Sequence, residues 1–325
     1  MIEVRNLTKV YPGAVALDNI SFSVAKGEIV GFLGPNGAGK STTMRILTGF
    51  IPPTSGSATV AGFDVVRQSL EVRRRVGYLP ENNPLYPEMR VEEYLDFRAT
   101  LHQVPRSRRA AAVDNAVERC SLGEVRHRIV GQLSKGYRQR LGLADAIVHD
   151  PEIVILDEPT IGLDPHQVRH VREVIRELGR ERTVILSTHI LSEVEKMCGR
   201  VLIINRGRLV AGGPLEDIHN FTATGRIRLD LRGAPSGARE ALGKLPGVLN
   251  VVEISRGNDR TYFVEPRDGA DVRSDVFRRA AEAKWEVLEM GPERVSLEDA
   301  FVELTDRSGP VPDALGAAGE KGAGA

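Results

Sequence analysis

The chain has 325 residues, enough for one large or two ordinary domains with a sizeable core. Its 44 basic and 44 acidic residues balance, which gives no reason to expect a general attraction to nucleic acid or to membrane lipid. Its two cysteines, Cys120 and Cys198, are isolated and lie outside any metal-type spacing, as in reduced cytosolic proteins without disulfides.

The N-terminus and the hydropathy pattern indicate neither a signal peptide nor a membrane span. The first residues, Met-Ile-Glu-Val-Arg, carry charges where a signal peptide needs an apolar core. No stretch approaches the ~18 uninterrupted apolar residues of a spanning helix. We therefore expect any role at a membrane to depend on a partner protein.

The first elements are β-strands. Ile2 to Tyr11 reads as a strand, a Pro-Gly turn follows, and Ile20 to Val24 alternates apolar and small polar residues as a second strand does. Tyr11 lies shortly before the second strand and has two interpretations. Its ring could stack on a nucleotide base, or it could be a tyrosine on the edge of a sheet.

A glycine-rich segment follows the apolar run that begins at Glu28. It matches the phosphate-loop pattern G-x-x-x-x-G-K-[ST] with Gly34, Pro35, Asn36, Gly37, Ala38, Gly39, Lys40 and Ser41. The next residues read as a helix that ends near Gly49, so the loop has the strand-before and helix-after context that this pattern requires. Backbone amides would surround phosphate oxygens, Lys40 would reach the β- and γ-phosphates, and the Ser41 hydroxyl would bind Mg²⁺.

An all-helical segment separates the phosphate loop from the next buried strand. The strand Val76 to Leu79 ends at Pro80-Glu81, and a proline-containing loop follows. Helical periodicity then covers about 91–103, 108–120 and 136–148. We therefore expect a helical subdomain at about 87–148 inside an α/β chain.

Two acidic residues end the apolar run Ile153 to Leu156. Such a run is typical of a strand buried on both faces of a parallel sheet, and ligands bind at the carboxyl ends of these strands. Asp157 could hold Mg²⁺ directly or through water, and Glu158 could polarise the attacking water. The alternative is a solvated acidic loop.

Two further polar residues follow in the chain. Asp164 can cap the helix that Pro165 opens, and capping alone would explain it. His189 follows the buried run Val184 to Leu186. A lone histidine is more often structural, but this one lies after a core strand, as Asp157 does, and could reach a γ-phosphate.

The residues after Asn220 predict a separate module. Periodicity gives the order β-α-β-β-α-β, which is typical of a small ferredoxin-like α+β domain. No catalytic constellation lies within it, so it either has a regulatory role or only enlarges the protein's surface. We assign 1–219 to the first domain, 220–305 to this accessory domain and 306–325, rich in Gly, Ala and Pro, to a disordered tail.

Together these motifs resemble the ATP-binding subunit of an ABC transporter, over about Met1 to Ile218. The decisive element is Leu133-Ser-Lys-Gly-Tyr-Arg-Gln-Arg140, which resembles the ABC signature. The implied fold is an ABC-type P-loop NTPase core with a helical subdomain. Tyr11 would stack on the base, Gly34 to Thr42 would bind phosphates and Mg²⁺, and Glu158 would be the catalytic base. His189 would be the switch histidine.

The resemblance also implies a dimer. Ser134 and the Gly136 amide lie near a predicted helix start, which favours anion binding, and would contact the γ-phosphate of ATP held by the other subunit. Asp164 would belong to the loop between subunits. The partner would be a second copy or a paralogous ATPase subunit, in a head-to-tail pair that shares two ATP molecules.

One position departs from the family. Glu81 replaces a loop glutamine, so a charged oxygen rather than a neutral one would face Mg²⁺. Glutamate here, together with Tyr137 in the signature, resembles the exporter branch that includes gliding-motility and multidrug-type subunits.

The implied function is ATP hydrolysis that energises a separate polytopic membrane permease. The exporter-type resemblance favours export as the direction of transport. The chain would then lie in the cytoplasm, on the inner face of the membrane through the permease. The alternative is a soluble ABC ATPase acting on nucleic acid or ribosomes. Such proteins usually carry two ATPase halves or a long coiled coil, and this chain has neither.

Overall fold

A computed structural model describes residues 1–221, 226–233, 235–256, 259–267, 270–293 and 301. The described residues form two compact units, one within Met1–Leu215 and one within Glu216–Glu303. The predicted tail at 306–325 lies outside the described residues. No helix in the described ranges is both long and apolar enough to cross a membrane.

The first unit alternates strands and helices. Its strands are β1 (Ile2–Tyr11), β2 (Ala14–Val24), β3 (Ile29–Leu33), β4 (Ser55–Val60), β5 (Phe63–Asp64), β6 (Val76–Leu79), β7 (Ile153–Asp157), β8 (Thr183–Thr188), β9 (Arg200–Asn205) and β10 (Arg208–Pro214). Its helices are α1 (Lys40–Leu47), α2 (Ser69–Arg75), α3 (Val91–Leu101), α4 (Arg106–Arg119), α5 (Lys135–Ile147), α6 (Pro165–Glu181) and α7 (Leu191–Met197), and α8 (Leu215–Phe221) follows β10.

The larger sheet of this unit determines where the site lies. Within the described residues its strand order is β10-β9-β3-β8-β7-β6, in which β9 to β6 are parallel and β10 pairs antiparallel at one edge. Every residue of β7 and β8 is buried, as the continuous apolar runs predict. Because parallel strands end at the same edge, the ends of β3, β7 and β8 lie side by side, with Asp157 paired to Ser187 and Leu33 to Thr188.

The smaller sheet covers the helix that follows the phosphate loop. Its order is β2-β1-β4-β5, and all its pairs are antiparallel. Side chains from both sheets and from α1 form one core cluster, in which Met44, Ile46 and Leu47 of α1 are fully buried. The core therefore holds α1, and with it the loop, from two sides.

The helices α3, α4 and α5 form the predicted all-helical segment. Between α3 and α5, Asp145 accepts hydrogen bonds from the Tyr94 hydroxyl (2.8 Å) and from Arg98 Nε (2.6 Å). At the ends of the same helices, the rings of His102 and His149 stack with their centroids 3.7 Å apart.

Two glycines allow α5 to approach its neighbours closely. A β-carbon at Gly77 of β6 would overlap the carbonyl oxygen of Ala146, and one at Gly142 of α5 would overlap the side-chain amide of Asn83. Asn83 lies in the loop after β6, and its Nδ2 donates to the Arg138 carbonyl oxygen at 3.3 Å. Close packing thus joins α5 to β6 and to the loop that contains Glu81.

The second unit has a separate core. In chain order it contains β11 (Ile227–Leu231), α9 (Ala238–Gly243), β12 (Val248–Arg256), β13 (Asp259–Pro266), α10 (Arg273–Glu282) and β14 (Val287–Pro292). Within the described residues its sheet order is β12-β13-β11-β14, with every pair antiparallel. Inward residues such as Leu229, Leu231, Leu242 and Val264 form its core cluster.

Candidate functional site

The phosphate loop connects β3 to α1 through conformations that only glycine adopts easily. Gly37 and Gly39 have φ values of +79° and +111°, in the left-handed region. A β-carbon at Gly39 would lie 2.6 Å from the Ala16 carbonyl oxygen, and one at Gly34 would overlap that of Ile204. Gly39 is the N-cap of α1 and supplies no side-chain cap, so the first amides of α1 face an anion site rather than a capping side chain.

The Lys40 side chain joins this loop to the end of β7. Its Nζ donates to the carbonyl oxygens of Gly34 (2.8 Å) and Pro35 (3.3 Å) and lies 3.6 Å from Glu158 Oε1. Both charged side chains are 6% exposed. A buried ion pair of this kind depends on good geometry and extra hydrogen bonds, which the two carbonyl groups provide.

Glu158 is held from two directions. Lys40 lies at Oε1, and His189 Nδ1 lies 2.9 Å from Oε2. The Glu158 backbone has a φ of +50°, a left-handed conformation that costs a residue with a β-carbon about 1–2 kcal/mol. Its amide donates to the Ser187 carbonyl oxygen and to Ser187 Oγ, both at 3.1 Å. Strain held by such contacts at a strand end is a mark of functional sites.

Asp157 lies beside Glu158 and is 1% exposed. Its Oδ1 accepts a short hydrogen bond from the Ser187 hydroxyl. Ser187 thereby orients a carboxylate that the sequence predicts as a metal ligand. The sequence predicted neither contact of Ser187, because its partner becomes evident only once β7 and β8 are known to be adjacent and parallel.

The predicted ligands Ser41 and Asp157 carry the oxygen atoms that magnesium prefers. Ser41 and Thr42 lie half-buried in the first turn of α1, and the next residue, Thr43, donates from Oγ1 to the Gly39 carbonyl oxygen at 3.0 Å. In the described part of the chain no three His, Cys, Asp or Glu side chains converge as a complete metal cage. Mg²⁺ in phosphate sites typically takes only one or two carboxylates, since phosphate oxygens and water complete its shell.

Tyr11 ends β1, and its ring is 38% exposed, with Lys9 Nζ 5.2 Å from the ring centroid. It pairs with Ala14 on β2, and two residues later Ala16 contacts the phosphate loop at Gly39. An exposed ring on this hairpin is available to stack on a base, and it is also a residue on a sheet edge. Both interpretations from the sequence therefore remain possible.

The signature residues occupy the first turn of α5. Ser134 is the N-cap, and its Oγ accepts from the Tyr137 amide at 3.3 Å. Gly136 is buried, and a β-carbon there would overlap the Gln167 side chain on α6. Within the described residues, neither Ser134 nor Gly136 has a hydrogen bond to the phosphate loop. The structure thus brings Lys40, Asp157, Glu158 and His189 together and leaves the signature apart from them.

Asp164 and Glu81 lie on the periphery of this group. Asp164 is the N-cap of α6, and its Oδ1 accepts from the amides of His166 (3.0 Å) and Gln167 (2.9 Å), which is the capping role that the sequence predicted. Glu81 is exposed in the loop after β6. Its carboxylate makes a small contribution, after burial and Asp157, to the raised pKa of Tyr78 on β6.

Comparison with known proteins agrees with this arrangement. Residues 17–161 match the family model described as ABC transporter. The daunorubicin resistance ATP-binding protein DrrA3 of Streptomyces coeruleorubidus is 34% identical over 94% of this chain and 95% of its own length. The bacitracin transport ATP-binding protein BcrA of Bacillus licheniformis is 38% identical over 94% of this chain and 97% of its own length.

Solved structures extend the comparison to three dimensions. An ATP-binding subunit of an ABC transporter superposes with a TM-score of 0.63 at 31% identity, covering 68% of this chain and 92% of that one. A dimeric ATP-binding cassette bound to ADP and phosphate shares the fold, with a TM-score of 0.62 at 23% identity over 66% of this chain and 99% of that one. The protein therefore belongs to the ATP-binding subunits of ABC transporters, has their α/β P-loop fold, and is an ATPase.

Proposed function

We propose that this ATPase powers export by a separate membrane permease and that its catalytic group is Lys40, Asp157, Glu158 and His189. The observation that carries the proposal is the convergence of these four side chains beside the phosphate loop, with Glu158 contacted by both Lys40 and His189. Relatives over most of the chain have names that concern daunorubicin resistance, bacitracin transport and linearmycin resistance.

In this proposal the loop amides and Lys40 hold the β- and γ-phosphates of ATP. The Glu158 carboxylate accepts a proton from the attacking water as it adds to the γ-phosphorus, and the bond to the β-phosphate oxygen breaks. His189 contacts the γ-phosphate and so distinguishes ATP from ADP. Ser41 and Asp157, with Glu81 nearby, would hold Mg²⁺, which neutralises developing charge on the phosphates.

The signature supports a head-to-tail dimer with a second copy or a paralogous subunit. Ser134 is exposed at the N-terminus of a 13-residue helix, where an anion from another subunit could bind, and it lies apart from the phosphate loop of its own chain. Loss of the γ-phosphate would release the contacts that join the two subunits.

The permease would dock on exposed apolar side chains near the loop after β6. Tyr86 is 44% exposed and packs edge-on against Phe97, with centroids 5.6 Å apart. Phe50 and Leu70 are 71% and 68% exposed, and their neighbours Gly49 and Ser69 are in contact. Large exposed apolar groups of this kind are typical of interaction surfaces. Docking there would place the chain at the inner face of the membrane.

The alternative, an ATPase acting on nucleic acid or ribosomes, gains no support from the relatives' names, which concern drug resistance and transport.

We also propose that the domains divide at 219/220 and that 220–305 is a ferredoxin-like module. The support is its β-α-β-β-α-β order and its sheet order, in which the first and third strands are central.

Replacement of the base tests the catalytic assignment. The Glu158→Gln variant should bind ATP with unchanged affinity, lose at least about 100-fold in turnover and accumulate as an ATP-bound dimer in size-exclusion chromatography. Glu152→Gln, at the other end of β7 and 53% exposed, is the matched control and should hydrolyse normally. Wild-type turnover by Glu158→Gln would remove Glu158 from the mechanism.

A further inference from the structure

The Tyr78 hydroxyl has no role in the site as described so far. It is buried, and it is one of few such side-chain atoms in the described residues without a hydrogen bond of normal geometry. Native proteins rarely leave a buried hydroxyl unsatisfied, so an orphaned one at a strand end calls for a ligand or a partner that binds there.

The strand register places Tyr78 on the same face of the sheet as Asp157. Tyr78 on β6 pairs with Ile155 on β7, and Asp157 is two residues further along β7. Side chains alternate along a strand, so Ile155 and Asp157 share a face, the one on which Tyr78 packs against the α1 core cluster. A strand spacing of about 4.8 Å and a rise of about 3.3 Å per residue put the Cα atoms of Tyr78 and Asp157 about 8 Å apart, within reach of a tyrosine side chain.

The acidic groups that act on the hydroxyl, Asp157 and Glu81, are the carboxylates proposed to hold Mg²⁺. Burial raises the pKa of Tyr78 to about 12, and the Asp157 carboxylate adds to the rise, with a smaller contribution from Glu81. Arg45 on α1 lowers the pKa through its charge and through donation to the hydroxyl oxygen, which leaves the hydroxyl proton without an acceptor. The phenol therefore keeps its proton at neutral pH and is a donor that faces carboxylates. Asp157 Oδ1 already accepts from Ser187, which leaves Oδ2 for another donor.

We propose that Tyr78 is a positioning residue for the magnesium site, whose hydroxyl donates to the metal-facing side of Asp157, directly or through one water. The inference rests on the proposed assignment of Asp157 as the metal ligand. Ser187 and Tyr78 then fix the carboxylate from opposite sides, and groups around a ligand set its orientation and the affinity for metal.

The test is a binding measurement in the Glu158→Gln background, which prevents turnover. The affinity for ATP is measured by competition with a fluorescent ATP analogue, once in EDTA and once in saturating Mg²⁺. The affinity in Mg²⁺ divided by the affinity in EDTA measures how much magnesium strengthens ATP binding. Tyr78→Phe should reduce this ratio about tenfold while the affinity in EDTA stays the same.

Two companion variants make the outcome decisive. Tyr94→Phe removes a buried hydroxyl that is bonded to Asp145, away from the site, and should leave the ratio unchanged. Asp157→Asn should reduce the ratio at least as much as Tyr78→Phe. If Asp157→Asn reduces the ratio and Tyr78→Phe does not, Tyr78 has no positioning role. If Asp157→Asn leaves the ratio unchanged, Asp157 is not the metal ligand, and the role proposed for Tyr78 is wrong as well. An equal loss in Tyr94→Phe would also overturn the proposal.

Discussion

Lys40 has two kinds of partner, carbonyl oxygens and a carboxylate, which suit different tasks. Its contacts with the carbonyl oxygens of Gly34 and Pro35 fix the lysine within the loop, while its ion pair with Glu158 connects the loop to β7. A point charge on a flexible stem can transfer its contacts to phosphate oxygens, which carry more negative charge than a carbonyl group. In the proposed function, the same residue thus orders the site and binds the nucleotide.

Lys40→Ala should therefore weaken ATP binding strongly. Truncating one partner of a buried, hydrogen-bonded charge pair costs about 2–5 kcal/mol, which corresponds to at least about a 30-fold rise in Kd. Equilibrium binding of a fluorescent ATP analogue measures the change. Lys26→Ala, at an exposed turn before β3, is the control and should bind like the wild type. An unchanged Kd in Lys40→Ala would refute the phosphate role.

At the scale of elements, the stacked pair at the ends of α3 and α5 is a source of acid sensitivity. Burial lowers the pKa of His149 to about 3, with the neighbouring His102 ring adding to the effect, and burial also lowers the pKa of His102. Arg98 and Arg182 disfavour the charged form of His149 as well. His149 Nε2 lies 3.3 Å from the Val76 carbonyl oxygen, so the pair also contacts β6.

The sign of the pH dependence follows from this shift. Unfolded histidine titrates near pH 6.5, so between about pH 6.5 and pH 3 the unfolded state binds a proton that the folded state excludes. Stability is full above pH 6.5 and should fall as the pH decreases, with a slope from His149 that approaches about 1.4 kcal/mol per pH unit. Urea denaturation at pH 7, 6 and 5 measures it.

His149→Phe keeps a flat ring in the stack and should flatten this slope, whatever its stability at pH 7. His166→Phe, at an exposed position in the first turn of α6, should keep the wild-type slope. Identical slopes in the wild type and His149→Phe would show that His149 is not the group responsible.

Sequence patterns predicted the helices and strands better than they predicted the contacts between them. The bounds of β6 agree with the predicted strand Val76 to Leu79, because a short run of strand-forming residues that ends at a proline is a clear signal. The seven-residue helices α2 and α7 were missed, since two turns give too little periodicity. Phosphate-loop and acidic residues were evident from local motifs, whereas the contacts of Ser187 and Tyr78 depend on which strands are neighbours.

At the scale of the whole molecule, ATP hydrolysis is useful only when it is coupled to another protein. The exposed residues Phe50 and Leu70 lie outside the proposed catalytic group, so the proposed docking and ATP hydrolysis should be separable by mutation. Burying each of these side chains against a partner is worth about 1.5–3 kcal/mol.

Phe50→Ser combined with Leu70→Ser should leave basal ATPase activity unchanged and reduce recovery of the permease at least about tenfold. The tagged chain is purified from detergent-solubilised membranes, and the polytopic protein that accompanies the wild type is quantified by mass spectrometry. Phe277→Ser, at a 59% exposed position in the second unit, is the matched control. Full recovery with the double variant would exclude this surface, and recovery of ribosomes or DNA by the wild type would favour the alternative function.

The close fit at Gly77 and Gly142 has a mechanical consequence. Because α5 touches β6 and Asn83 without intervening space, a displacement of the loop after β6 cannot be absorbed by repacking and has to move the helix. Ser134 is the N-cap of that helix, one turn before Arg138. In the proposed dimer, a permease that displaces the loop near Glu81 should therefore move α5 as a rigid body. That movement would shift the signature residues relative to the ATP of the neighbouring subunit.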